Sequence, residues 1–353
     1  VETSEIVVWT RHERKGLESN RRSSTEGGGM DSNSFRSMSL STGTRRAISL
    51  TCSLYDDCLI MSKTKDQLQQ IKKELECRFK IKHLGPASTF VGLKIERNEE
   101  LGTLSIDQTK YVREIMERFG TTEAKGVDTA MQKEENEPIN ATDLKTYQEI
   151  VGSMFYLRTH TRFDISYSTW RLARAMSGAT KWDLASAKRV LRYLKGRPDL
   201  KITFRRGEFA LKAYYDASCS QTELAHKSVT GYIVMLNGGA IAHGTKKQSI
   251  LSSSTAESEL VALGSCVKQV LFIKGLLGEL DIHQNSQIPM FCDNGAACCI
   301  GETAKHSSRT KHLAVKLRRI ADNVSNNHMK VAFIPGTLQK SDCLTKVLRR
   351  VQH

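Results

Sequence analysis

The sequence predicts an α/β protein in two structured parts, and two observations carry that reading. In the second half, short runs of apolar and β-branched residues alternate with amphipathic helices in the order βββ-α-β-α-β-α, with room for one further helix. In the first half, helical stripes at residues 68–79 and 184–194 flank strand-like runs at 90–95 and 101–106. A chain of 353 residues is long enough for two domains with real cores.

The formal charge of +15 points to a polyanionic partner, most simply nucleic acid. An acidic membrane surface is the alternative, but no amphipathic helix with aromatic anchors stands out. No apolar run approaches the ~18–20 residues of a membrane span, and no secretory signal opens the chain, so no membrane partner is expected. The nine cysteines show no zinc or CxxC spacing and read as reduced thiols of an intracellular protein, cytoplasmic or nuclear rather than secreted. Val1 in place of Met reads as a piece of a longer reading frame.

Residues 1–47 are rich in Ser, Gly and Arg, without sustained periodicity, and are expected to be disordered or linker-like. Residues 47–60 are apolar but broken by Tyr55-Asp56-Asp57, a tight hairpin with carboxylates at its tip. Thr64 to Gln67 reads as a capping box for a helix whose stripe is Leu68, Ile71, Leu75 and Phe79. Residues 90–95 and 101–106 read as paired strands, and 111–119 as a helix. Over 181–195, Leu184, Ala187, Leu191 and Leu194 form a buried stripe, while Lys188, Arg192 and Lys195 align on another face. That basic face is either solvated or a phosphate contact.

Breaks at 196–199 and 205–208 introduce the second part. Strand 211–215 leads to Asp216, and strands 230–236 and 240–242 flank the hairpin signal Asn237-Gly238-Gly239. Ser254 caps the next helix, with Glu257 three residues on as its capping-box partner, turned toward solvent. Glu259, roughly 200° around the helix from Glu257, lies on the margin of the stripe Leu260, Leu263, Val267, Val270 and Leu271. A carboxylate there costs stability unless something positive meets it. Strand 288–292 runs into Asp293; a helix spans 309–324, a strand 329–334, and a last helix 339–348 bears Asp342. Singly, Asp216 reads as a sheet-edge charge, Asp293 as an N-cap and Asp342 as a first-turn acid.

Taken in order, Tyr55-Asp56-Asp57, the capped helix, His83-Leu84-Gly85, Phe90-Val91-Gly92-Leu93-Lys94-Ile95, Tyr147-Gln148-Glu149-Ile150-Val151-Gly152-Ser153, Thr161-Arg162-Phe163-Asp164-Ile165 and residues 187–196 resemble the back half of a copia-type (Ty1/copia) retrotransposon reverse transcriptase. Tyr214-Tyr215-Asp216-Ala217, Ser228-Val229-Thr230-Gly231-Tyr232, Lys246-Lys247-Gln248, residues 253–263, Cys292-Asp293-Asn294, Ser308-Arg309-Thr310-Lys311-His312 and Asp342 resemble the ribonuclease H domain attached to it. The resemblance implies a partial reverse transcriptase palm and thumb over 48–205, then a ribonuclease H-like domain over 206–350 with a mixed five-stranded sheet.

It further implies that Asp216, Glu259, Asp293 and Asp342 are catalytic and bind two Mg²⁺ (or Mn²⁺) ions. The implied substrate is the RNA strand of an RNA–DNA hybrid, with other nucleic acid and the missing part of the Pol polyprotein as further partners. Crowded carboxylates need cations to coexist, and oxygen-rich acidic sites suit these ions. Lys246, Lys247, Lys311 and His312 become candidate nucleic-acid contacts, with His306 beside them; surface cations and histidines are the plain alternative. Asp56 and Asp57 would be a polymerase relic, a turn or a solvated pair. Their motif is one residue shorter than Tyr-x-Asp-Asp, and the third aspartate has no counterpart, so the polymerase is expected to be inactive. Asp164 reads as a structural turn acid, with Phe163 where the family usually has Pro. Other departures are Ser218 for a second aspartate, His243 for a tryptophan, and residues 313–319, which lack an Asp and a His. The second reading is a catalytically silent, nucleic-acid-binding remnant.

Overall fold

The computed structural model describes residues 5–11, 37–42, 48–54, 57–62, 64–78, 81–131, 141–218, 227–252, 254–303 and 314–348. The chain divides into two compact units, Val1–Glu96 and Arg97–His353. That division falls inside the stretch read as one reverse transcriptase part, while no division falls near residue 205.

The first unit holds a five-stranded antiparallel sheet: β1 (Glu5–Arg11), β2 (Ser37–Thr42), β3 (Ile48–Leu54), β4 (Asp57–Ser62) and β5 (Ile81–Pro86), in the order β2-β3-β4-β1-β5. β1 and β2 lie in the segment read as structureless. Ile6, Val7, Val8 and Trp9 are strong strand formers, and a short run of this kind is overridden by the composition around it when read alone. β3 and β4 pair up to Leu54 and Asp57, as the hairpin reading requires. Helix α1 (Lys65–Arg78) packs Leu68, Ile71 and Leu75 on Ile60, and the Gln67 N–H donates to Thr64 Oγ1 at 3.4 Å. Residues 90–95 do not form one strand. β6 (Thr89–Phe90) turns back on β7 (Leu93–Asn98) through Val91 and Gly92, both at positive φ, a turn that the glycine makes accessible.

The second unit has two cores. In the first, α2 (Thr109–Arg118), α3 (Ala141–His160), α4 (Ser166–Ala173) and α5 (Lys181–Gly196) bury Val112, Ile150, Met154, Leu157, Leu191 and Leu194 together. β8 (Thr103–Asp107) pairs there with β9 (Ile202–Arg205). Thr180 and Asp183 close a full capping box at the start of α5. A tight turn at Phe163–Ile165 joins α3 to α4. Arg162, 1% exposed, clamps Asp164 with contacts of 2.8–3.3 Å, and Tyr193 donates to the same carboxylate at 2.8 Å, so Asp164 is a structural turn acid.

In the second core, β10 (Leu211–Ser218), β11 (Val229–Leu236), β12 (Gly239–Lys247), β13 (Ile288–Cys292) and β14 (Met329–Phe333) form a sheet in the order β12-β11-β10-β13-β14. β12, β11 and β10 are antiparallel, and β13 and β14 run parallel to β10, so the sheet is mixed. Helix α6 (Thr255–Glu279) lays Leu260, Leu263, Cys266, Val267 and Val270 on Leu211, Ala213, Tyr215 and Ala217. By length and composition α6 could cross a membrane, contrary to the expectation that no run would, but its apolar residues form this core. α7 (Gly295–Thr303) and α8 (Ala314–Ser325) follow. Residues 339–348 are not an α-helix: short 3-10 turns at Gly336–Leu338 and Asp342–Leu344 replace it.

The two cores of this unit meet. Phe163, Tyr214, Met235 and Cys343 pack against Ile233, Ala240 and Leu344. The phenyl ring standing where the resembled family has proline is thus an apolar plug against the turn that carries Asp342.

Candidate active site

Strand alternation places Leu211, Ala213, Tyr215 and Ala217 under α6, leaving Lys212, Tyr214 and Asp216 on the opposite face of β10. Across the ladder Asp216 pairs with Gly231, which pairs in turn with Thr245. A Cβ on Gly231 would lie 2.5 Å from Thr345 Cγ2 and 2.9 Å from Leu344 Cβ, so only glycine lets the C-terminal turn approach here. That turn is tied down by side chains. Thr245 Oγ1 donates to the Leu344 carbonyl at 2.9 Å, Gln339 Nε2 to the Tyr215 carbonyl at 2.9 Å, and the Thr345 hydroxyl to Asp216 Oδ2. Asp342 is thereby delivered to the face that bears Asp216.

Glu259 arrives from α6. Ser254 caps the helix by accepting from the Glu257 N–H at 3.2 Å. Glu257 itself is 5% exposed rather than turned to solvent, at a helix start whose free N–H groups favour an acid. Gln248 fixes this end of α6 by donating to the Ser258 carbonyl at 2.9 Å and to Thr230 Oγ1 at 3.0 Å. Asp293 follows β13 directly. Continuing the parallel pairing of Tyr214 with Phe291 sets it level with Asp216. The cap of α7 is Asn294, whose Oδ1 accepts from the Ala297 N–H at 3.1 Å, so Asp293 is released from the capping role open to it in the sequence.

All four acids therefore converge at one end of the sheet. Glu259, Cys292 and Asp293 each offer a donor atom, and these lie within 4.8 Å of one another. Burial, then the Asp216 charge, pushes the Glu259 carboxyl up to about 10, against a hydrogen bond from the Ala217 backbone. Burial likewise pushes Asp342 up to about 6, opposed by its contact with Lys346 and assisted by Asp216 and Asp293. The Lys346 ammonium stands 2.9 Å from Asp342 Oδ1 and 4.0 Å from Asp216 Oδ2. Burial opposes its charge, yet the acids outweigh burial and hold its pKa above the ordinary lysine value. Cys292 Sγ points at Glu259 Oε2 at 3.7 Å, and its hydrogen bond with Cys298 and its burial keep it a thiol, a donor rather than a metal ligand.

The donor set is carboxylate oxygen, suited to Mg²⁺ or Mn²⁺. Asp342 Oδ1 is buried with the Lys346 ammonium as its partner, and the Glu259 carboxyl is raised by burial and by the Asp216 charge. Both observations fit a divalent-cation site.

The other candidates are scattered. Lys246 is exposed and Lys247 half-buried, on β12 at the end of the sheet where Asp216 lies. Lys188 is exposed on α5, but Arg192 Nε donates to the Lys125 carbonyl at 2.7 Å and Lys195 to the Thr122 carbonyl, so these two pin a loop of their own unit. Asp57 begins β4; Asp56, His306, Lys311 and His312 lie outside the described residues. Sequence reasoning missed Gly231, Gln339, Thr345 and Lys346. The four-residue spacing of Asp342 and Lys346 was the available signal.

The family described as reverse transcriptase (RNA-dependent DNA polymerase) matches residues 38–133. The retrovirus-related Pol polyprotein from transposon TNT 1-94 of Nicotiana tabacum is 31% identical over 305 residues, covering 84% of this chain and 23% of its own length. That from transposon RE1 of Arabidopsis thaliana is 31% identical over 300 residues, again covering 84% of this chain and 20% of its own. The chain thus spans less than a quarter of these relatives. A solved RNase H1 from the archaeon Halobacterium salinarum NRC-1 covers 38% of this chain and 94% of its own at 15% identity, with a TM-score of 0.30, too loose a likeness to bear on chemistry. Strand order, the order of motifs and the two polyprotein matches agree: the chain is a retrotransposon Pol segment similar to copia-type Pol polyproteins, with a reverse transcriptase match and a ribonuclease H-like fold.

Proposed function

We propose that the second unit is a Mg²⁺- or Mn²⁺-dependent endonuclease acting on the RNA strand of RNA–DNA hybrids, with Asp216, Glu259, Asp293 and Asp342 as its metal-binding and catalytic residues. The observation that carries this is the buried contact of Asp216 with Glu259, whose carboxyl is pushed up to about 10 by burial and by that neighbour, a place that calls for added positive charge. Two divalent ions, when bound, would activate water and stabilise the leaving 3′ oxygen. The protein's own part is to hold the four carboxylates in place. β10 fixes Asp216, the α6 cap and Gln248 fix Glu259, the end of β13 fixes Asp293, and Thr345 and Thr245 fix the turn of Asp342. Burial and the Asp216 charge raise the Glu259 carboxyl, so positive charge brought to the site would favour its ionised form.

Lys246 and Lys247, at the same end of the sheet, would meet hybrid phosphates. Lys188 belongs with them as a phosphate contact from α5. Polymerisation is not part of the proposal, because Tyr55-Asp56-Asp57 is one residue shorter than the Tyr-x-Asp-Asp of the resembled family. Other parts of the Pol polyprotein are the natural protein partners of such a segment.

The test is cleavage of a labelled RNA–DNA hybrid by the full chain with Mg²⁺ or Mn²⁺, beside Asp216→Asn. Metal-dependent cutting that falls by about 100-fold or more in the variant would support the reading. A folded protein that binds hybrid and leaves it whole would favour the silent remnant.

A further inference from the structure

Lys346 occupies a place that a chance surface lysine would not. It stands four residues after Asp342, and its ammonium lies 2.9 Å from Asp342 Oδ1 and 4.0 Å from Asp216 Oδ2, two carboxylates from opposite ends of the domain's sequence. The Thr345 and Lys346 N–H groups both bond the Asp342 carbonyl, and the Thr345 hydroxyl bonds Asp216. The turn itself therefore aims the ammonium. The side chain is 41% exposed, which leaves its four-carbon stem open solvent to swing into. The other half of the site is different. Glu259 and Asp293 converge with Cys292, yet among the described residues the ion pairs at this site belong to Asp216 and Asp342.

An ammonium and a divalent ion compete for one pair of carboxylates. Mg²⁺ sits about 2.0–2.1 Å from its oxygens, and a positive charge a few ångströms away repels it. We propose that Lys346 is a tethered cation that fills one of the two positive positions of the site. The divalent-ion positions would then be unequal: the one farther from Lys346 would fill first, and the one that Lys346 borders beside Asp216 and Asp342 would fill as Lys346 swings out. Lys346 thus sets the ion concentration at which the site becomes complete and keeps Asp216 and Asp342 compensated until then. This rests on the reading above in one respect, that the four acids bind divalent ions.

The test is Mn²⁺ binding to the full chain without nucleic acid, read from the electron paramagnetic resonance of the free ion. Wild type is compared with Lys346→Met, Lys346→Gln and the charge-preserving Lys346→Arg. In wild type we expect one ion bound and a second bound about ten-fold or more weaker. In the two neutral variants the second ion should tighten about ten-fold, the size of effect expected when one charge is removed beside a divalent ion. The first should stay within about two-fold, and Lys346→Arg should behave as wild type. A melting curve in chelator and in Mn²⁺ guards against misfolding: the neutral variants should gain more from Mn²⁺ than wild type does. Equal second-ion affinity and equal thermal gain in wild type and the neutral variants would overturn the role of Lys346 while leaving the metal site standing. No bound ion in any of the four folded proteins would overturn both.

Discussion

Gly231 lies directly across the β10–β11 ladder from Asp216, and Thr345 and Leu344 fill the space left by its missing side chain. The strand that carries no acid thus decides whether the fourth acid can reach the first. Gly231→Ala should push the turn outward, costing about 1–3 kcal/mol as an overpacked contact. Hybrid cleavage should fall further than stability does, because Asp342 and Lys346 move with the turn. Urea melts and cleavage rates measured together check this, and an unchanged rate would show the turn to be free of the strand.

Phe163 should make the nuclease-like part dependent on the helices before it. Residues 206–353 alone would expose Ile233, Ala240 and Leu344, which Phe163 covers in the longer unit. We expect that fragment to melt at least about 4 °C below residues 97–353, and Phe163→Ala in the longer piece to reproduce much of the difference. Equal melting temperatures for the two pieces would count against a shared core.

Arg162→Met should be among the most destabilising single changes in the helical part. It leaves Asp164 without the clamp that now accompanies Tyr193, and stranding one member of a buried pair costs about 3–5 kcal/mol. Replacing Asp164 by Asn in the same chain should recover part of the loss. Chemical denaturation of the single and double variants measures the coupling.

His243 should give the protein an acid-side weakness. Burial, helped by the Arg158 charge, lowers its pKa from 6.5 to about 4, against a hydrogen bond with the Arg158 backbone and the Asp164 charge. Between those values the unfolded chain binds a proton that the folded chain does not. The His243 contribution to stability is therefore full above pH 6.5 and is lost as pH falls toward 4, by up to about 1.4 kcal/mol per unit. The raised Glu259 and Asp342 carboxyls contribute with the opposite sign, so the effect is read as the difference between wild type and the His243 variant. His243→Trp, the residue usual in the resembled family, should flatten this part of the pH profile.

The four acids were singled out by the resemblance to a ribonuclease H domain, and hydrophobic periodicity located the elements of three of them. Asp216 and Asp293 follow strand runs, and Glu259 follows a serine cap. The turn of Asp342 was not legible as a turn. Residues 339–348 carry a helix-like pattern, but Gln339, Ser341 and Thr345 spend their side chains on Tyr215, on one another and on Asp216. Such bonds give the backbone an alternative to helix that only the tertiary neighbours decide. The cap on α7 shows the same limit, since Asp293 and Asn294 are both good caps and adjacent. The burial of Glu257 and the strands β1 and β2 depend on neighbours distant in sequence.

The turn at Asp342–Leu344 lies downstream of every described strand and of the two large apolar cores. A premature stop codon just before Gln339 would keep every described strand and both large cores while deleting Asp342, Thr345 and Lys346 together with the Leu344 contact to Ile233 and Ala240. Copies of such a gene would lose the meeting of the four acids before they lost the two main cores.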